Sequence, residues 1–171
     1  MLVRLDKKSK TKKVLPLLSA EDIEEIMKQI DEVPLETPIL EMTIAQFSAV
    51  VDDESTFIED ILTKEKYLFN ALGRLKSYKR QMNELTNFFK LYDIKQTKEE
   101  KQAAVGVVFP DMLSKMLLTV TKFFGLKSFD EAEKVKLSAY LMIFQDESSS
   151  ALYQRNYNNI INQQMKQKQK K

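Results

Sequence analysis

Between Leu68 and Tyr92, apolar side chains return at intervals of three and four residues without a break: Leu68, Ala71, Leu75, Tyr78, Met82, Leu85, Phe89 and Tyr92. That alternation is the period of one face of an α-helix; a half-buried strand needs a period of two. Eight such positions in succession predict one long helix over about 64–92, whose stripe must be covered by other helices. At 1.5 Å per residue it would run roughly 45 Å. Leu72, Phe88 and Leu91 widen the stripe beyond a two-stranded zipper, which points to several neighbouring helices. Gly73 sits inside the pattern at a cost of about 1 kcal/mol against Ala. It is expected to mark a close approach by another segment.

Helix-start signals recur through the rest of the chain. Ser19 stands before Glu21, Asp22 and the stripe Ile23, Ile26, Met27 and Ile30, the pattern of an N-cap with an acidic first turn. Pro34 and Pro38 then enforce an extended link. Residues 43–46 form a capping box ahead of Ile44, Phe47, Val50 and Val51, and a further short helix is expected around Phe57, Ile58, Ile61 and Leu62. Residues 97–100 form another capping box, opening a helix that Pro110 interrupts. Leu113, Met116, Leu117, Val120, Phe123 and Phe124 follow at helical spacing, with Gly125 as the stop. Residues 128–131 open what reads as one helix through Ala132, Val135, Ala139, Met142 and Ile143. After a break at 146–150, a last helix presents Leu152, Tyr153, Tyr157, Ile160, Ile161 and Met165. Strand signals are nearly absent. The expected fold is all-α: an elongated helical bundle organised around the 64–92 helix. It divides into a basic N-terminal arm (1–18), a helical domain (19–161) and a Lys/Gln-rich tail (162–171).

The residue inventory narrows the chemistry. The chain has no His and no Cys, which removes the Ser-His-Asp triad, the commonest general base, thiolate metal sites and disulfides. Three glycines, at 73, 106 and 125, are too scattered for a dinucleotide fingerprint or a P-loop. Neighbouring acids such as Glu99/Glu100 and Asp146/Glu147 point to different sides of a helix and form no acid/base dyad. Asp52, Asp53 and Glu54 read either as a divalent-cation site or as carboxylates at a helix start, where the dipole favours them. The expectation is a non-enzyme with no cofactor, no metal, no catalytic residues and no small-molecule substrate. No apolar run reaches the roughly 18 residues of a membrane span. The first residues lack the apolar stretch of a signal peptide. A cytoplasmic, intracellular protein without a membrane partner is expected.

Charge is segregated behind a net +2. Residues 1–13 carry +5, residues 14–60 carry −12, residues 61–101 carry +5 and residues 162–171 carry +4. Two uses compete for the basic residues Lys7, Lys8, Lys10, Lys12 and Lys13 and for the cationic face Arg74, Lys76, Lys79 and Arg80. One is nucleic-acid phosphate, with counterion release. The other is an acidic protein surface, supplied most economically by the −12 block of the same chain or of a neighbouring subunit. Aromatic stacking platforms, which single-stranded nucleic acid favours, are missing from both basic ends.

The stretch LEMTIAQFSAVV at residues 40–51, a leucine-x-x-threonine-x-x-x-phenylalanine helix opening before an acidic patch, resembles segments of small bacteriophage tail-assembly and structural proteins. The resemblance covers a dozen residues and implies a virion or virion-assembly role, with no catalytic residues. From the residues themselves, the expected function is protein–protein: a subunit, adaptor or assembly factor whose partners are other subunits, a second copy included. The candidate interface is the seam Leu68, Leu75, Tyr78, Met82, Leu85, Phe89 and Tyr92. The alternative is a nucleic-acid-associated packaging or regulatory protein using the basic ends and the Arg74, Lys76, Lys79 and Arg80 face.

Overall fold

The computed structural model describes residues 19–92, 97–98, 102 and 111–168, and a short antiparallel pairing of β1 (Val3–Arg4) with β2 (Lys13–Val14). The helix expected to follow residues 97–100 falls largely outside the described residues. The fold is all-α, as the periodicity predicts.

α1 (Ala20–Gln29) starts at Ser19, whose hydroxyl accepts from the Asp22 N–H while Asp22 accepts from the Ser19 N–H at 2.8 Å. The chain then runs extended through the two prolines into a 3-10 turn at Ile39–Glu41. α2 (Ile44–Asp52) opens on the expected capping box, Thr43 with Gln46. Asp53 ends α2 and caps α3 (Glu54–Lys64), so the two short helices meet at one residue. The long seam helix, α4 (Leu68–Tyr92), begins at 68 rather than near 64, because α3 extends to Lys64 and residues 65–67 are spent turning the chain. Its 25 residues span about 37 Å.

α5 (Met112–Phe124) stops at Gly125, which adopts the left-handed conformation with φ 62°. Two expectations for the remainder need correcting. The helix that opens at Ser128 is only one turn, α6 (Phe129–Ala132), and α7 starts afresh at Leu137. The reason is a tertiary contact. The Ile44 N–H donates to Val135 O at 2.9 Å, Ala45 N–H to Glu133 O at 3.1 Å, and Leu137 N–H to Met42 O at 2.8 Å. Residues 133–136 leave the helix to satisfy the free N–H groups at the start of α2, and Met42 returns the favour at the start of α7. Second, there is no break at 146–150: α7 (Leu137–Lys168) is one helix of 32 residues, continuing into the stretch expected to form a separate tail. Ser and Asp are indifferent helix formers and Glu is a good one, and none is Pro or Gly. Extending an existing helix through them is easier than nucleating a new one. α7, not α4, is therefore the longest helix.

α4 is nevertheless the central one. The 3-10 turn and α2 contribute Ile39, Ile44 and Phe47 to the core, α4 contributes Leu72, Leu75 and Tyr78, α5 contributes Met116 and Val120, and α7 contributes Leu137 and Tyr140. Gly73 is where α4 meets the link after α1. A Cβ there would lie 2.8 Å from both Asp31 O and Val33 Cγ2, so only glycine fits without displacement. Gln81 adds a polar tie, accepting from the Ile39 N–H at 2.8 Å and donating to the buried Ser77 hydroxyl at 3.2 Å.

Candidate protein-interaction surface

The seam that sequence singles out as a partner interface is covered by its own chain. Leu75, Tyr78 and Leu85 are buried, and Leu68, Met82 and Phe89 are partly buried against the core. Tyr92 is half-buried, its ring 4.8 Å from Phe88. Toward the end of α4, Phe89 meets Phe144 of α7 edge-on at 5.4 Å. Tyr78 completes its burial by donating its hydroxyl to Glu54 Oε1 at 2.9 Å.

The cationic face of α4 is also largely engaged within the chain. Arg80 Nε lies 2.8 Å from Glu32, and its Nη1 2.7 Å from Glu84. Lys76 donates to Ile30 O at 2.8 Å. Arg74 Nε lies 2.5 Å from Glu65 Oε1, as an ion pair rather than an aligned hydrogen bond. Glu32 belongs to the −12 block, so the Arg80 contact is an intramolecular pairing of the kind that the charge segregation suggests. Lys79 is exposed. Lys13 lies in β2, and Lys7, Lys8, Lys10 and Lys12 lie outside the described residues.

The acidic trio separates. Asp52 accepts from Ser48, Asp53 from the Thr56 N–H at 3.1 Å and the Ser55 hydroxyl at 2.8 Å, and Glu54 from Tyr78. The bonds from Thr56, and secondarily from Ser55, hold the Asp53 carboxyl below the usual carboxylate range. These are the contacts of helix starts and core caps. Among the described residues no group of three His, Cys, Asp or Glu is arranged to hold a metal ion. Beside Asp53 an open cleft of about 410 Å³ lies between the link after α1, α2 and α3. Its floor is apolar (Leu35, Met42, Phe57, Ile61), and its rim cations are already held: Lys64 by Asp60 at 2.8 Å, Arg74 by Glu65. Gln46, Asp53, Lys64 and Arg74 on its lining each contact a neighbour in the same chain.

Among the described residues, the longest run of exposed apolar side chains on one helix lies on the second half of α7. From Ala151 to Lys168 only Arg155 and Ile161, among residues whose burial is described, are half-buried; the rest are exposed. Yet this stretch carries Leu152, Tyr153, Tyr157, Ile160 and Met165, exposed by 47 to 69%. Tyr153 and Tyr157 stack on one another one turn apart, with ring centroids 6.4 Å apart. Tyr153 and Ile160 are seven residues apart, two turns, and so share a face. Met142, 73% exposed, lies eleven residues before Tyr153, close to three turns, and extends that face to the body of the domain. A second exposed group, Phe123, Phe124 and Phe129, lies at and after the end of α5; sequence spacing places the first two on the core stripe, but in the last turn of the helix they are exposed.

Sequence reasoning lists the apolar residues of α7 without separating them from core. The available signal is the composition around them: between Ser148 and Met165 the only charged residue is Arg155. No protein-family model, curated protein or solved structure matches this chain. Among the described residues no helix is long and apolar enough to cross a membrane.

Proposed function

We propose that this protein is a non-enzymatic protein–protein interaction subunit, an adaptor or assembly component. Its docking element on this reading is the free half of α7 rather than the seam of α4. One observation carries the reading: Tyr153, Tyr157 and Ile160 line one face of a helix that has left its own core behind. An isolated helix face of this kind loses nothing by ordering, since the helix continues from the packed half of α7, and gains by covering tyrosines. The likeness of residues 40–51 to phage tail proteins makes a virion or virion-assembly complex the setting we favour. A nucleic-acid role has less behind it, because Arg74, Lys76 and Arg80 already contact oxygen atoms of their own chain.

A photo-crosslinking residue placed at Tyr153, in the full chain and in its native extract, tests the proposal. Crosslinks to protein are expected there and not from the same residue at Lys79. Loss of those crosslinks on Ile160→Asp would assign them to this face. Crosslinks to nucleic acid alone, or none at Tyr153, would refute the reading.

A further inference from the structure

The occupant of this face can be read from the charge order along α7. Asp146 and Glu147 stand at the inner end of the free half, Lys166 and Lys168 at the outer end, and only Arg155 lies between Ser148 and Met165. Asp146, Glu147 and Lys166 are exposed. We propose that the partner is a second copy of this chain, its α7 lying antiparallel to the first; the proposal rests on the α7 reading above and names its partner.

Antiparallel packing across a two-fold axis brings the acidic end of each helix beside the basic end of the other, and symmetry makes each such contact twice. Parallel packing would set Asp146 beside Asp146 and Lys168 beside Lys168. Between the ends the rim is asparagine and glutamine (Gln154, Asn156, Asn158, Asn159, Asn162), so close approach strips water from almost no charge. A foreign partner selected by charge would find nothing along this stretch to select it, whereas a copy supplies the complement from its own ends.

Length and area agree. The 18 residues from 151 to 168 extend about 27 Å from the domain. A second copy centred between residues 156 and 157 sets Ile160 of one chain opposite Tyr153 of the other and Gln164 opposite Ser149. A well-covered tyrosine buries roughly 150–250 Å², and each copy offers two, with the exposed Ile160 and Met142 on the same face. That supplies a large part of the roughly 800 Å² per partner of a standard stable interface.

The test uses the full chain, which has no cysteine of its own. Sedimentation equilibrium across a range of concentrations is expected to show reversible association to twice the chain mass. Ile160→Asp and Tyr153→Asp, both at exposed positions, are expected to raise the dissociation constant at least tenfold without changing the circular dichroism spectrum. Asp146, seven residues before Tyr153, and Lys168, eleven after Tyr157, fall beside the face; Asp146→Lys should weaken association, and the Asp146→Lys, Lys168→Glu double variant should restore it. For orientation, Ser149→Cys and Gln164→Cys chains are mixed and oxidised. A mixed 149–164 disulfide supports the antiparallel pair; a 149–149 disulfide in preference to it overturns the arrangement. A chain that stays monomeric at every concentration overturns the proposal. If that monomer still crosslinks to another protein from Tyr153, the docking function stands and the second copy alone is excluded.

Discussion

Gly73→Ala puts two opposing effects at one position. Alanine is the better helix former by about 1 kcal/mol, and position 73 is in the interior of α4. Against this, the new methyl would sit 2.8 Å from Asp31 O and 2.8 Å from Val33 Cγ2, with Val33 N at 3.2 Å. Ordinary carbon–oxygen contacts are about 3.3–3.6 Å, so the link must retreat by roughly half an ångström. It is not free to do so, because Lys76 holds Ile30 O and Arg80 holds Glu32 on either side of the contact. Overpacking of this kind costs about 1–3 kcal/mol. The net expectation is a loss of about 1 kcal/mol, which for a domain of this size lowers Tm by roughly 2–4 °C. Urea denaturation followed by circular dichroism measures it, with Asn87→Ala, exposed on the same helix, reporting the propensity gain alone. Adding Val33→Ala should recover part of the loss, since the Cγ2 contact disappears and the carbonyl contact stays. A Gly73→Ala midpoint that rises in step with Asn87→Ala would refute the close approach.

Two tyrosines set an alkaline limit. Burial, and secondarily the Glu147 charge, pushes the Tyr140 phenol up to about 12, and burial followed by Glu54 raises Tyr78 as well. Unfolded tyrosines ionise near 10, so this stability is fully present below pH 10 and is lost as pH climbs toward 12. Tyr78→Phe/Tyr140→Phe should therefore flatten the decline of the urea midpoint between pH 9 and 12; an unchanged slope would count against buried, protonated phenols. Leu137→Ala, at a fully buried position where α7 leaves Met42, should cost about 2–5 kcal/mol. Met142→Ala, about a turn and a half farther on and 73% exposed, should cost no more than about 0.5 kcal/mol. Equal losses in equilibrium unfolding would mean that the two faces of α7 are misassigned.

Sequence reads best here where structure is local. The N-cap at Ser19, the capping box at Thr43, the stop at Gly125 and the face of α4 all depend on residues within a few positions of one another, and each forms as its pattern dictates; at Ser128 half of the expected box forms, because the Glu131 carboxylate accepts from the Lys127 N–H instead of the Ser128 N–H. The close approach at Gly73 is legible for the same reason: a glycine inside an otherwise strong helix needs a cause. The division between α6 and α7 is not legible, because its cause is the start of α2, which no window around Val135 contains. The continuity of α7 is hidden by Asp146, Glu147 and three serines that read as a linker but contain nothing able to break a helix. The docking face is the hardest to see. Tyr153 and Ile160 have the same helical spacing as Tyr78 and Leu85, and periodicity shows that a side of a helix is apolar without showing whether anything lies against it. Only the path of the chain separates a covered stripe from a bare one.

The join between residues 42–45 and 133–137 is made of peptide groups, and it links distant parts of the chain: Lys136 and Glu41, which also form an ion pair there, are 95 positions apart. During synthesis the opening of α2 emerges long before the carbonyls that will receive its N–H groups. The base of α7 is therefore aimed last, after the layers it stands on have assembled. A partly built molecule would hold its projecting arm at no fixed angle, so correct presentation of that arm is a signature of a finished domain.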